Sequence, residues 1–223
     1  MKRMAIVLAI FLLGGVLFAE HAAGTIMVTA DFGGGLNRLT SKDDVNENVD
    51  FGFLGLSYMA GMGVSYYLFP VLSFTTGAGW HGTTNTIEVG SPDNFDFFMH
   101  RGYLRVPLAV HANLLFLYVG GGGAFNFVMF EKYENRGIDG SHEDRNYKSK
   151  SYPELFLDVG LDFGVNNIER NMGSRLFIRV ARSLGGVTSK TGALDYHLKK
   201  DLDSFDFAVV FQITGSVARF PLF

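Results

Sequence analysis

Charged side chains of opposite sign recur at matching positions in two neighbouring segments of the chain. Asp158 and Asp162 lie four residues apart in the first segment, and Arg175 and Arg179 lie four apart in the second. Residues that face each other in an antiparallel hairpin have a constant sum of residue numbers, and Asp158 with Arg179 has the same sum as Asp162 with Arg175. One register therefore predicts two cross-strand ion pairs.

Further charged residues fall on the same parity of other segments, so a larger network is predicted. If these segments are strands of one small barrel, the interior is only wide enough for side chains, and charges there must be paired or hydrated. We interpret the set as a structural ladder, and a gated polar path for ions is the functional alternative. The predicted network comprises Asp31, Arg101, Arg105, Glu154, Asp158, Asp162, Arg175, Arg179 and Asp206.

The carboxylate-bearing segment indicates the element that must position such charges. From Pro153 to Val165, aliphatic residues fall on one parity, and Glu154, Asp158 and Asp162 fall on the other. A period of two is the signature of a β-strand, because successive side chains point to opposite faces. In a soluble sandwich the charged face would meet water. In a membrane barrel the apolar face would meet lipid and the charged face would line the lumen.

The same alternation recurs down the chain and predicts eight strands in all. Most exceed the ~5–6 residues usual in globular sheets and reach the ~9–11 that cross a bilayer. The connections alternate between short turns and long polar loops, which is typical of an up-and-down transmembrane barrel. The predicted strands are Thr25–Leu36, Phe51–Leu68, Val71–Gly82, Phe97–Ala112, Leu115–Phe130, Pro153–Val165, Ser174–Gly185 and Ser204–Ser216. The predicted long loops are Asn37–Asp50, Thr83–Asp96, Glu131–Lys150 and Val187–Asp203, and the predicted turns are Phe69–Pro70, Asn113–Leu114 and Asn166–Gly173.

The first residues predict export from the cytoplasm. Lys2 and Arg3 precede an apolar run from Ala5 to Phe18, and Ala19 offers a small residue for cleavage. Such a run is too short to span a bilayer as a helix and is typical of a secretory signal. We therefore expect residues 1–19 to be a signal peptide and residues 20–223 to form one barrel domain.

Composition narrows the class of protein further. The chain holds 28 Gly, 22 Phe and 9 Tyr but no Cys, so it has no disulfide and no thiol-based metal site. Loss of the two basic residues of the signal changes the formal charge from −3 to −5, which argues against a nucleic-acid partner. No second apolar run reaches the ~18 residues of a spanning helix, so entry into a membrane requires a closed barrel.

Two motifs stand out, the segment Tyr103–Leu108 with an internal Val-Pro-Leu, and the chain end with Gly215, Ala218 and Phe220. Both resemble motifs of the small eight-stranded outer-membrane barrels, the OmpA/OmpX-like families, and the chain end fits the barrel-assembly signal of those families. Ile213 stands where that signal has a polar residue, and the chain continues for three residues beyond Phe220. The resemblance covers the whole mature chain. It implies an outer-membrane location and recognition of the last strand by the barrel-assembly machinery.

Aromatic residues near the predicted strand ends suit the two girdles that flank the apolar band of such a barrel. One residue fits poorly, because Pro107 lacks a backbone donor and a closed barrel has no edge strand to accommodate it. We expect a β-bulge at Pro107. The predicted girdle residues are Tyr67, Phe69, Trp80, Phe97, Phe98 and Phe220.

The sequence offers little support for a metal site, a phosphate-binding loop or an enzymatic site. None of the six His residues stands in a metal-ligand spacing, and the glycine run from Val119 to Ala124 lacks the Lys-Ser/Thr of a phosphate loop. Some outer-membrane barrels are lipid-modifying enzymes, but His197, Ser204 and Glu154 show no spacing that would join them in a catalytic set. We expect no cofactor, no metal and no enzymatic activity.

These observations predict an all-β protein, an eight-stranded antiparallel up-and-down transmembrane barrel of the outer membrane. The expected role is structural or surface interaction, with a plugged polar lumen, outer-membrane lipid as surroundings and an extracellular ligand at the long loops. A narrow porin-like channel for small or apolar molecules is the first alternative, and a lipid-modifying enzyme is the second. A soluble ligand-binding barrel, with apolar residues inward, is the alternative from another class.

Overall fold

The alternating segments form strands whose hydrogen bonds close into a ring. The computed structural model describes residues 23–41, 54–89, 95–114, 116–136, 147–163, 172–190 and 202–220. The predicted signal peptide lies outside these residues. The strands are β1 (Thr25–Ser41), β2 (Leu54–Phe69), β3 (Leu72–Val89), β4 (Phe95–Leu114), β5 (Leu117–Arg136), β6 (Tyr147–Ser149), β7 (Tyr152–Asp162), β8 (Met172–Ser183), β9 (Thr188–Lys190) and β10 (Leu202–Arg219).

Eight of these strands form a closed barrel in the order β1-β10-β8-β7-β5-β4-β3-β2, with antiparallel neighbours throughout. The first strand pairs with both β2 and β10, so the sheet has no free edge. The predicted all-β, eight-stranded up-and-down barrel is confirmed. The remaining strands, β6 and β9, lie in two of the long loops and pair with each other.

The two ends of the barrel differ in their connections. At one end, which we call the turn end, short connections join β2 to β3 and β4 to β5. The barrel's first and last strands also meet there, because Phe220 N donates to Gly24 O. The opposite end, which we call the loop end, carries the long connections and the β6–β9 pair.

The strands extend further at the loop end than the sequence predicts. Much of the predicted loop Thr83–Asp96 is strand, because β3 continues to Val89 and β4 begins at Phe95. The apolar alternation stops earlier, at the point where outward positions become polar. Backbone pairing needs no apolar face, and inward residues such as Thr83 and Asn85 remain buried there.

The wall has apolar residues outside and charged residues inside. Leu157 is 66% exposed on the outer face of β7, whereas its neighbour Asp158 is 0% exposed on the inner face. Every barrel strand has exposed Leu, Val, Ile, Met or Phe on its outer face, and the buried Arg, Asp and Glu side chains lie on β4, β7, β8 and β10. The alternative of a soluble ligand-binding barrel requires apolar residues inward, and its prediction of which side chains face the interior is therefore wrong.

The predicted bulge at Pro107 is wrong. Pro107 pairs with Ala124 of β5 in continuous register, and the nearest irregularity of that pairing lies between Gly102 and Tyr103. The missing donor is accommodated differently, because the pairing of β3 with β4 skips Gly77 and Ala78 without a change of register. The hydroxyl of Thr76 donates to Pro107 O at 3.0 Å beside this gap.

Candidate functional site

The lumen near the turn end contains the two ion pairs that the sequence register predicts. In the pairing of β7 with β8, Asp158 lies opposite Arg179 and Asp162 lies opposite Arg175. Arg179 binds Asp158 through two nitrogens, with Nε–Oδ1 at 2.8 Å and Nη2–Oδ2 at 2.7 Å. Arg175 Nε lies 2.7 Å from Asp162 Oδ2. All four side chains are buried, so both pairs are removed from water.

A third ion pair joins strands that are not neighbours. Arg105 of β4 donates from Nε to Glu154 Oε1 of β7 at 2.6 Å, passing over β5. The second carboxylate oxygen of Glu154 accepts from Asn126 of β5 at 2.8 Å. The three strands are thus tied together across the lumen by one carboxylate.

At the loop end two asparagine side chains link a buried carboxylate to a buried guanidinium group. Asn37 Nδ2 donates to Asp206 Oδ1 at 2.7 Å, and Asn85 Nδ2 donates to Asn37 Oδ1 at 2.8 Å. Arg101 Nη2 then donates to Asn85 Oδ1 at 2.8 Å. Asp206 and Arg101 belong to the predicted network, whereas the two asparagines between them fall in predicted loops.

Asp31, the ninth predicted network residue, is half-buried and bound indirectly. Gln212 Nε2 donates to Asp31 Oδ1 at 2.7 Å, and Gln212 Oε1 accepts from Arg175 Nη1 at 2.9 Å. All nine predicted network residues therefore lie on the inner face, in several connected groups rather than in one ladder.

Buried aromatic rings form a second lumen component, outside the predicted charge network. Both Arg105 and Arg179 place the guanidinium carbon 4.6 Å from the ring centre of Phe156. Arg175 lies 4.8 Å from the ring centre of Tyr118. A guanidinium over an aromatic face is attracted by the ring quadrupole, more so when both are desolvated. The inward parity of Phe156, shared with Asp158, was the available signal.

A chain of hydroxyl and imidazole groups meets Asp158 from the other side. Ser65 Oγ lies 2.8 Å from Thr75 Oγ1, which lies 3.2 Å from His111 Nδ1. His111 Nε2 lies 3.2 Å from Asp158 Oδ2. The parity that His111 shares with Arg105 predicts this inward position, and His111 is buried in the lumen.

Most of the predicted girdle faces outward, with one correction. Phe69 and Phe220 are exposed at the turn end, and Trp80 stacks on Phe130 with ring centres 5.4 Å apart. Phe98 is half-buried, and the side chain of Phe97 lies outside the described residues.

Tyr67 does not belong to the girdle. Its side chain is fully buried in the lumen, where its hydroxyl accepts from Arg175 Nη2 at 2.5 Å and from Asn113 Nδ2 at 2.7 Å. Tyr67 shares the inward parity of Ser65, and its nearness to the strand end misled the prediction. A phenol at the inner face needs polar partners, which the lumen supplies and lipid does not.

A small cavity of about 30 Å³ lies in the wall beside Pro107. It is lined from the lumen by charged residues, including Asp31, Arg105 and Arg179, and from the wall by Trp80 and its neighbours. A volume of this size holds about one water molecule. The cavity coincides with the skipped pairing between β3 and β4.

The residues named for an enzymatic alternative take part in separate interactions. Ser204 Oγ lies 3.4 Å from Asp206 Oδ2, whereas Glu154 binds Arg105 and Asn126. His197 lies outside the described residues. Among the residues that the structure describes, no group of three or more His, Cys, Asp or Glu side chains is placed to hold a metal ion. Within the same part of the chain, no helix has the length and hydropathy needed to span a membrane.

Comparison with known proteins gives a likeness in architecture. No family model and no curated protein sequence matches the chain. Among solved structures, the outer membrane protein OprG from Pseudomonas aeruginosa is 10% identical, with a TM-score of 0.44, over 88% of this chain and 97% of that one. Outer membrane protein AlkL is 12% identical, with a TM-score of 0.44, over 90% and 94%. Ail of Yersinia pestis is 12% identical, with a TM-score of 0.40, over 86% and 99%.

Proposed function

We propose that this protein is an integral outer-membrane barrel with a structural or surface-interaction role and a lumen closed by its own side chains. The sense of the wall carries the proposal. A continuous belt of exposed Leu, Val, Phe, Ile and Met surrounds a buried charged interior. In water this apolar belt would be exposed at a cost in free energy, whereas a bilayer would cover it. A closed ring of strands also satisfies the hydrogen-bonding groups of the backbone in lipid.

The interior supports a structural role rather than conduction. Ion pairs, amides and aromatic rings occupy the lumen from Tyr67 at the turn end to Arg101 at the loop end, and all of these side chains are buried. The guanidinium groups of Arg105, Arg175 and Arg179 bind carboxylates of the protein instead of binding a passing ion. The long loops, including the paired β6 and β9, then provide the surface available to an extracellular ligand.

We also place the last strand in contact with the barrel-assembly machinery during insertion. β10 ends with the Gly215–Arg219 segment, and it closes the barrel by pairing with β1 along its whole length. Recognition of that strand before closure is consistent with its terminal pattern. The proposed location is the outer membrane, reached through the periplasm after signal cleavage.

Two measurements on the refolded protein test this proposal. The protein should insert into phospholipid vesicles and migrate differently in SDS gels before and after boiling, since a folded barrel resists the detergent. In planar bilayers it should give no resolved ion conductance beside a general porin measured as a positive control. Stable conductance steps would contradict the closed lumen, and failure to insert would contradict the membrane location.

A narrow channel is the second candidate, and the wall cavity beside Pro107 favours it. The cavity touches Arg105 and Arg179 on the lumen side and outward residues such as Met62 on the lipid side. Widening at the gap between β3 and β4 would open a path for a small apolar molecule through the wall. Vesicle uptake of such a molecule, reduced by Pro107→Ala but not by Pro153→Ala on β7, would support it. Equal uptake by both variants and the native protein would exclude it.

A further inference from the structure

The loop end of the lumen contains buried donors that the protein leaves unpartnered. Eleven buried side-chain nitrogen and oxygen atoms in the described residues have no hydrogen-bond partner, and seven of them belong to one patch. Five of the seven are potential donors whatever the imidazole tautomer, and at least one of the two His81 nitrogens can donate as well. The patch consists of Ser57, His81, Thr83, Arg101 and Tyr103.

These five side chains are neighbours by strand register. Ser57 of β2, Thr83 of β3 and Arg101 of β4 lie opposite one another in a single row across three strands. His81 and Tyr103 form the adjacent row, with ring centres 6.2 Å apart. The Arg101 guanidinium carbon lies 5.9 Å from the Tyr103 ring centre. The unpartnered groups of these five side chains therefore point into one region of the lumen.

Arg101 is the exceptional arginine of the lumen. Arg105, Arg175 and Arg179 each bind a carboxylate directly, whereas Arg101 binds the neutral amide of Asn85 and is 1% exposed. Its Nε and Nη1 have no partner among the described residues.

The nearby carboxylates are engaged elsewhere. Glu131, opposite Arg101 on β5, accepts from Ser149 N at 2.6 Å. Asp206 accepts from Asn37 and lies 3.7 Å from His81 Nε2, so it borders the patch on one side. A buried guanidinium with unpaired N–H groups is costly, because those groups have lost their water without gaining an acceptor.

We propose that this patch, which we call the Arg101 site, binds a small oxyanion of the carboxylate or phosphate class inside the loop end of the lumen. Arginine only donates, so the ligand must supply acceptors, and the positive charge selects an anion. Hydroxyls of Ser57, Thr83 and Tyr103 add donors that an oxyanion with several oxygens satisfies together. The interior of an eight-stranded barrel limits the ligand to a few heavy atoms.

Titration of the Arg101 Nε–H resonance tests the proposal directly. The ¹⁵N-labelled full chain, refolded in a detergent without phosphate, is titrated separately with sodium acetate, sodium phosphate and sodium chloride at fixed pH and ionic strength. The Arg101 signal is assigned by its loss in Arg101→Gln. We expect a saturable shift with acetate or phosphate but not with chloride, and the arm that saturates identifies the class of oxyanion.

Variants that keep the charge and the shape separate binding from folding. Tyr103→Phe and Thr83→Val each remove one donor, and each should raise the half-saturating concentration about tenfold or more, as expected for a hydrogen bond to a charged group. Tyr58→Phe, on the outer face of β2, should leave it unchanged. Equal shifts that do not saturate in any of the three salts would mean that water satisfies these donors, and they would overturn the site. Saturation by chloride would overturn the assignment of the ligand to the oxyanions.

Discussion

Asp158 is held by two buried basic side chains of the lumen network. It accepts two bonds from Arg179 and contacts His111 Nε2 at 3.2 Å, at zero exposure. Because both the acid and the guanidinium are buried, removal of one leaves the other buried and uncompensated. Replacing only one partner of the pair therefore destabilises the fold more than replacing both partners.

Asp158→Asn should therefore lower the free energy of unfolding by about 3–5 kcal/mol, the cost of breaking a buried ion pair from one side. Urea titration of the protein folded in vesicles measures the change. Adding Arg179→Gln to this variant should restore part of the loss, so that the double variant is more stable than the two single effects predict. Strict additivity would show that the pair does not interact.

Tyr67→Phe tests the corrected position of this residue. The substitution keeps the ring but removes the hydroxyl that accepts from Arg175 and Asn113, and it should cost about 1–3 kcal/mol of unfolding free energy. The matched control is Tyr58→Phe, whose exposed ring lies on the outer face. A loss at Tyr58 as large as at Tyr67 would place the Tyr67 hydroxyl outside the lumen network.

A glycine on β4 allows two large rings from the neighbouring strands to stack over it. Gly102 of β4 lies under the stacked pair of Trp80 from β3 and Phe130 from β5. A Cβ at Gly102 would fall 2.2 Å from Trp80 Cζ2 and 2.3 Å from Phe130 Cε1. The stack on the outer wall thus requires glycine on the strand between its two rings.

Gly102→Val should separate Trp80 from Phe130 and destabilise the barrel by about 1–3 kcal/mol, the usual cost of overpacking. Trp80 is the only tryptophan of the chain, so its emission spectrum reports the displacement. Gly123→Ala serves as control, because a Cβ there would meet its nearest atom at 3.4 Å. An unchanged Trp80 emission in Gly102→Val would contradict the stacked arrangement.

At the scale of the whole molecule, the barrel separates an apolar exterior from a charged interior. That separation predicts how a new charge behaves at different heights on the outer wall. Leu157 lies midway along β7 and is exposed, whereas Phe163 follows the turn end of the same strand.

Leu157→Arg should cost about 2–4 kcal/mol for a membrane-embedded barrel, while Phe163→Arg should cost about 0–1 kcal/mol near the interface. Unfolding from vesicles measures both. Similar small losses at the two positions would mean that the belt around Leu157 does not contact lipid.

The sequence by itself determined which face each residue occupies. A period of two places Asp158 and Arg179 on one face and Leu157 on the other, whatever the barrel's dimensions. The constant index sum also fixed the β7–β8 register, because that relation concerns only one hairpin. The eight strands and their up-and-down order followed from the same local signals.

Only the tertiary structure decided which residues meet across the lumen. Arg105 reaches Glu154 over an intervening strand, and Asn37 with Asn85 links Asp206 to Arg101. Such contacts depend on strand tilt and stagger, which are properties of the closed ring and not of any hairpin. The inward parity of Tyr67 was readable in the sequence, but its height relative to Arg175, and so the hydrogen bond between them, came only from the assembled barrel.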